Sequence, residues 1–221
     1  MSAPQNNVWT IVVAGGSGSR FGGLKQFAEL SGRRMVDWAV ETAAKASTGV
    51  VVVVPATAAA DPEFCSPVGA TCVVAGGSSR SESVRCGLAA VPAEAEIICV
   101  HDAARPFATT ELFSRVIAAI DTGVDAAIPG INVTDTIKVV DSRGRVTNTP
   151  DRVMLRAVQT PQAFRAAALR TAHAKGGEAT DDAAVVEAHG GYVVVVDGEA
   201  DNRKITGAAD LEWARSLAVG R

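Results

Sequence analysis

Three histidines, one tyrosine and four cysteines are all that the 221-residue chain has of those types. The cysteines, Cys65, Cys72, Cys86 and Cys99, include no CxxC pair, and the last three sit in apolar or helical runs. They read as small buried thiols, not as a metal cage or a disulfide framework. Acidic and basic residues nearly balance, 24 against 21, for a net charge of −3. No global basic excess drives nucleic-acid binding, so any phosphate site must be local. No apolar run approaches the ~20 residues of a membrane helix. Residues 1–9 lack the basic and apolar regions of a secretory signal. The remaining composition, 48% hydrophobic and 20% charged, is that of a globular chain. The expectation is one soluble, cytoplasmic domain acting on a small molecule, with no nucleic-acid or membrane partner.

Apolar patterning alternates between two periods. Residues 9–14 and 50–54 read as strands. The second is five consecutive valines stopped by Pro55, the signature of a strand buried on both faces in a parallel sheet. Residues 71–75, 96–100, 124–128 and 192–196 read as further strands. Helical spacing covers 34–46, 79–91, 110–120, 163–174, 181–188 and 208–217. This βαβ alternation predicts a single layered α/β domain over 1–221. It is interrupted at 136–147, where strand, turn (Asp141-Ser142-Arg143-Gly144) and strand predict a hairpin too polar to build a core alone.

Behind the first strand runs Ala14-Gly15-Gly16-Ser17-Gly18-Ser19-Arg20-Phe21-Gly22-Gly23-Leu24-Lys25. Its glycines allow close backbone approach, and successive amides can cradle a phosphate. Two common loops are excluded. G-x-x-x-x-G-K-[ST] needs a hydroxyl after the lysine, but Gln26 follows Lys25. G-x-G-x-x-G fails at Phe21, and the second strand ends at Pro55 instead of near an acid. What remains is a glycine loop with two fixed cations, Arg20 and Lys25. That pair suits charge developing on a triphosphate attacked at its α-phosphorus. Asp102 ends a strand, where ligands of open α/β sheets bind. Its carboxylate there either meets magnesium or a substrate hydroxyl, or caps the following turn. Gly76-Gly77 also follow a strand, with Ser78, Ser79 or Ser81 as helix N-cap. No serine–histidine–aspartate set or acid/base carboxylate pair emerges. His101 reads as structural, and His173 and His189 as helix-surface or helix-end residues.

Several segments occur in order: 14–20 with Lys25-Gln26, 76–84, 100–106, 134–138, 159–164, 180–182 and 201–206. Together they resemble the 2-C-methyl-D-erythritol 4-phosphate cytidylyltransferases, a family of the non-mevalonate isoprenoid route. The ribitol-5-phosphate cytidylyltransferases share most of these motifs. The resemblance runs from about residue 9 to 213. It implies a three-layer, Rossmann-like nucleotidyltransferase fold with a mixed, mostly parallel sheet and a protruding β-hairpin arm at about 133–152. It implies transfer of CMP from CTP to methylerythritol phosphate, with pyrophosphate released and magnesium required. Ribitol phosphate as acceptor, or a non-catalytic nucleotide-binding paralogue, are the alternatives.

By the same resemblance, Arg20 and Lys25 stabilise the transition state, and Arg152 and Lys204 hold the acceptor phosphate. Ala14, Gly15, Gly16, Gly18, Gly76, Gly77, Ser83 and Asp102 would bind the nucleotide, with Asp102 also the metal donor. Ala103, Arg105, Thr136, Thr160 and Thr180 would bind the substrate. The arm would clasp a second subunit, giving a homodimer with shared sites. One departure stands out: only four residues, Phe21 to Leu24, separate Arg20 from Lys25. The family's loop is longer, with a proline where Leu24 stands.

Overall fold

The structure, a computed structural model, describes residues 7–16, 25–59, 67–176 and 179–219. Gly18, Arg20 and Cys65 lie outside the described residues, as does the side chain of Lys25. The strands are β1 (Val8–Val13), β2 (Glu29–Leu30), β3 (Arg33–Arg34), β4 (Gly49–Val54), β5 (Cys72–Ala75), β6 (Ile97–Asp102), β7 (Ala126–Asn132), β8 (Val139–Val140), β9 (Val146–Asn148), β10 (Arg156–Val158), β11 (Gln162–Arg165) and β12 (Val193–Asp197). The helices are α1 (Met35–Ala46), α2 (Ala56–Ala59), α3 (Arg80–Ala90), α4 (Thr110–Ala118), α5 (Ala166–Ala174), α6 (Asp182–Glu187) and α7 (Ala208–Ala218).

The main sheet has eight strands in the order β10-β7-β11-β6-β1-β4-β5, with β12 also on β7. Pairs β1–β4, β1–β6, β4–β5 and β7–β12 are parallel, while β11 runs antiparallel to β6 and β7, and β10 to β7. The valine run explains why the centre is covered on both sides. Val50, Val52 and Val54 pack with α1 and α4, through Val36, Val40, Leu112 and Phe113. Val51 and Val53 pack on the other face with Val84, Leu88, Leu169 and Val185 of α3, α5 and α6. A third cluster joins Leu30, Met35, Phe107, Ile205, Leu211 and Ala214, seating α7 beside β2. The predicted α/β class with a mixed, mostly parallel sheet and helices on both faces is the observed one.

Sequence periodicity misassigns one element. The run 163–174 is not all helix, because Gln162–Arg165 is strand β11, wedged between β6 and β7. Alanine-rich spacing favours helix locally, and ladder pairing on two sides overrides it. The pairs β2–β3 and the strand β10 carry too few apolar residues to show a period. The expected strand pair at 136–147 is shorter than its pattern: β8 and β9 form their own antiparallel ladder, and Thr136 is outside it. Cys99 is buried, but Cys72 and Cys86 are half-buried, and all three are free thiols.

Candidate active site

Four strand ends converge where β1, β4, β5 and β6 finish. Past β1, the Ala14 N–H donates to the Val53 carbonyl (2.7 Å), and past β5 the Gly76 N–H donates to the Val54 carbonyl (2.8 Å). Gln26, buried just behind Lys25, donates Nε2 to the Gly16 carbonyl at 3.2 Å. The described residues on either side of 17–24 are therefore tied to each other.

Ser79 caps α3 by accepting the Glu82 N–H, and Ser83 donates its hydroxyl to the Ser79 carbonyl at 2.9 Å. Ser83 also fixes the neighbouring glycines. A Cβ at Gly15 would lie 3.0 Å from Ser83 Oγ, and one at Gly76 2.8 Å from it. Gly15, Gly76 and Ser83 thus meet as one packed unit, where a Cβ at Gly76 would collide with Ser83 and one at Gly15 would press on it.

Asp102 closes β6, almost fully buried. Its Oδ2 lies 2.6 Å from Lys204 Nζ, and its Oδ1 3.5 Å from Arg80 Nη2. Burial alone would raise the Asp102 carboxyl, but Lys204 and Arg80 hold it well below the usual carboxylate range. Lys204 is bracketed by two anchored neighbours. Ile205 is buried and its N–H donates to the Ala104 carbonyl. Asn202 is buried, donating Nδ2 to the Thr160 carbonyl at 2.8 Å. The Asn202 carbonyl accepts Arg105 Nη1 at 2.7 Å, and the Val158 carbonyl accepts Arg105 Nη2 at 3.2 Å.

Thr160 Oγ1 accepts the Asp102 N–H at 3.0 Å and lies 3.0 Å from His101 Nδ1. His101 Nε2 faces the Arg105 carbonyl at 3.2 Å, so Nε2 carries the proton and Nδ1 accepts from Thr160. Burial drives His101 down to about 4, which keeps it neutral. His101 is structural, as its sequence position suggested.

A cleft of about 250 Å³ opens here, lined by Arg80, Asp102, Arg105, Gln159, Thr160, Gln162, Thr180, Asp181 and Lys204 among others. Two larger clefts exist, of about 590 and 330 Å³. One is lined around Val8, Lys45 and Ser114, the other around Arg165, Lys175 and His189. Neither contains a strand carboxyl end of the β1–β4–β5–β6 set, so the smaller cleft is the candidate site.

The structure therefore brings Asp102, Arg105, Thr160, Thr180 and Lys204 together, beside Gly15, Gly76 and Ser83. It leaves others apart. Ala103 is wholly buried with its N–H on the Val13 carbonyl. The Thr160 hydroxyl is occupied by Asp102 and His101, and the Arg105 guanidinium, expected on the substrate, grips the Asn202 and Val158 carbonyls. Thr136 and Arg152 are exposed outside the cleft, with Arg152 donating to the Thr134 carbonyl at 2.9 Å.

Arg80, Gln159, Gln162 and Asp181 line the cleft without a sequence-assigned role, and Asp182 lies behind Arg80. Arg80 opens α3, and a cation is disfavoured at a helix N-terminus. That position was the readable signal of a tertiary carboxylate partner, which is Asp182 at 2.8 Å. His173, expected near a helix surface, is buried instead, with Nε2 3.1 Å from Asp182 Oδ1. His189 is exposed at the end of α6, as expected.

The family model described as IspD, 2-C-methyl-D-erythritol 4-phosphate cytidylyltransferase, matches residues 8–218. The chain belongs to this family. A cytidylyltransferase of that name from Rhodococcus jostii (strain RHA1) is 44% identical over 222 residues, spanning 98% of this chain and 97% of its own length. One from Nocardia farcinica (strain IFM 10152) is 42% identical over 216 residues, spanning 96% and 94%. The crystal structure of the cytidylyltransferase from Thermus thermophilus superposes with a TM-score of 0.80 at 36% identity, covering 97% of this chain and all (100%) of that one. The 4-diphosphocytidyl-2C-methyl-D-erythritol synthase of Anaerococcus prevotii DSM 20548 gives 0.83 at 29% identity, covering 98% and 99%. The cytidylyltransferase match thus spans both the β1 loop region and the Lys204 segment.

Proposed function

We propose that this cytidylyltransferase-family chain transfers CMP from CTP to 2-C-methyl-D-erythritol 4-phosphate. A phosphate oxygen of the acceptor attacks the α-phosphorus of CTP. The bond from that phosphorus to the bridging oxygen breaks, and pyrophosphate leaves with the electron pair. The acceptor is already an anion, so no strong general base is required. Catalysis reduces to positioning and cationic stabilisation. The observation that carries this reading is the Lys204–Asp102 pair at the end of β6, in a cleft whose Asp102 stands in register with Val13, the last residue of β1 before the glycine-rich segment.

In this reading the backbone at Gly15, Gly16 and Gly18 cradles the triphosphate, with Ala14, whose N–H is spent on the Val53 carbonyl, setting the start of that segment, and Arg20 and Lys25 meet the charge that develops on it. Gly76, Gly77 and Ser83 read the cytosine edge. Lys204 holds the acceptor phosphate, with its ammonium aimed by Asp102. Thr180 contacts substrate at the cleft rim. Thr160 and Arg105 act from behind, by holding Asp102 and the Lys204 segment.

Magnesium fits this site in a limited way. Among the described residues no three His, Cys, Asp or Glu side chains converge as a cage. Asp181, the other carboxylate lining the cleft, already caps α6 and accepts from Gln162. Asp102 could hold the ion only through Oδ1, since Oδ2 is taken by Lys204 and Arg80 stands 3.5 Å from Oδ1; triphosphate oxygens and water would supply the other ligands. When bound, the ion would supply neutralisation of triphosphate charge.

The segment around β8 and β9 supports a homodimer. Val140, Val146, Val153 and Met154 are 54%, 57%, 69% and 81% exposed. Such a run of uncovered apolar side chains fits an arm that packs on a second copy and delivers Thr136 and Arg152 to its site. The free thiols of Cys72, Cys86 and Cys99, the cysteines among the described residues, and a need for CTP fit the cytoplasm. No helix among the described residues is long and apolar enough to cross a membrane.

The test mixes protein, CTP and magnesium with methylerythritol 4-phosphate or ribitol 5-phosphate in parallel and follows pyrophosphate release. Faster release with methylerythritol phosphate is expected. Faster release with ribitol phosphate overturns the acceptor, and silence with both overturns the activity.

A further inference from the structure

Asp182 is wholly buried, and each of its oxygens has a partner of its own. Oδ1 accepts from His173 Nε2 at 3.1 Å, and Oδ2 lies 2.8 Å from Arg80 Nη2. The same Arg80 nitrogen lies 3.5 Å from Asp102 Oδ1, while Lys204 sits 2.6 Å from Asp102 Oδ2. Side chains from α5, α6, α3, β6 and the segment before α7 therefore form one line: His173, Asp182, Arg80, Asp102, Lys204. Within it Arg80 has two carboxylates to choose from and sits on Asp182. Asp102 has two cations to choose from and sits on Lys204. Asp181 adds to the negative field at Arg80, and Arg105 adds to the positive field at Asp102.

A guanidinium matches a carboxylate with two parallel bonds and is the stronger partner where both are offered. Without the charge on Asp182, nothing of comparable strength would keep Arg80 from closing on Asp102. Lys204 would then lose the contact that aims it. We infer that Asp182, backed by His173, is a positioning residue that holds Arg80 off Asp102 and so reserves Asp102 for Lys204. Its kinetic consequence rests on the reading of Lys204 as the holder of the acceptor phosphate.

Asp182→Asn keeps the side chain's size and an acceptor for His173 while removing the charge that draws Arg80. Two readouts follow it. The first needs no turnover: acetylation of Lys204 by acetic anhydride, timed by peptide mass spectrometry, is expected to run about tenfold faster in the variant. The second is kinetic: KM for methylerythritol phosphate rises about tenfold while KM for CTP stays within about threefold. In Arg80→Gln/Asp182→Asn, where Arg80 itself lines the cleft, the turnover-free readout decides: Lys204 acetylation is expected to return to within about threefold of the parent, since Lys204 again has Asp102 to itself. A purely structural Asp182 would leave the double variant as impaired as the single one, and that result overturns the inference, as does unchanged Lys204 reactivity. Faster acetylation without a KM change supports the positioning and overturns the acceptor role of Lys204. If Asp182→Asn does not fold, Arg80→Gln alone decides. Lys204 reactivity within about threefold of the parent supports the inference, and a tenfold rise shows that Arg80 itself secures the pair.

Discussion

Lys204 Nζ and Asp102 Oδ2 lie 2.6 Å apart although 102 residues separate them in the chain. β6 delivers the carboxylate to the carboxyl edge of the sheet, and the Asn202 and Ile205 anchors deliver the amine. The pair is nearly buried on the Asp102 side and open on the Lys204 side, where side-chain exposure is 42%. A cation so placed is rigidly aimed yet free to meet an anion from solvent.

This pairing has a pH signature. Asp102 titrates well below the usual range because Lys204 and Arg80 outweigh its burial. In the unfolded chain its carboxyl returns to about 3.9. A folded value below the unfolded one stabilises the protein above the unfolded value and is lost as pH falls toward the folded one. Asp102→Asn is therefore expected to cost stability by a constant amount above about pH 5, with the gap to the parent narrowing below about pH 4. Urea unfolding across pH checks it, and a gap that widens on acidification contradicts it.

His101 adds a second, separable signature. Burial keeps its folded value at about 4, against about 6.5 in the unfolded chain. Its contribution is present above about pH 6.5 and is lost as pH falls through that window toward 4. His101→Gln, which can still bridge Thr160 and the Arg105 carbonyl, is expected to flatten the fall in stability between those values. Thermal melts of both proteins from pH 7 to about 4 measure it.

Gly87 sits where α3 crosses β1 and β4. A Cβ there would lie 2.6 Å from Ile11 Cγ2 and 3.0 Å from Val53 Cγ2. Overpacking at such distances outweighs the helix propensity that alanine gains. Gly87→Ala is expected to lose about 1–2 kcal/mol. A denaturant midpoint equal to or above that of the parent would contradict the packing described for this face.

Much of this could be read in advance, for identifiable reasons. Val50–Val54 declares a two-sided strand because its composition leaves no polar face, and Gly15 and Gly76 mark strand ends where the backbone packs closely against Ser83. Strand β11 was hidden because Ala163 and Phe164 continue smoothly into the helical spacing of α5, and only pairing with β6 and β7 makes them a strand. The line from His173 to Lys204 was unreadable for a related reason. Each member is ordinary in its own segment, and the sheet order alone joins them. Arg80 is the exception, since an arginine opening a helix needs an anion from elsewhere.

Shared sites in a dimer have a distinctive test. The Arg152→Ala and Lys204→Ala proteins are each expected to be nearly inactive. After mixing and subunit exchange, about one quarter of all sites regain both residues if the partner's arm completes the site. Recovery of activity toward that fraction is expected, and none is expected if each subunit acts alone.

The most direct test of the account is Lys204→Met, with initial rates of pyrophosphate release measured against methylerythritol 4-phosphate at saturating CTP, and CTP binding measured separately by calorimetry. The account predicts a fall in kcat/KM for the acceptor of about 100-fold or more, with CTP affinity changed by less than about threefold. An unchanged kcat/KM, or a loss confined to CTP binding, would contradict it.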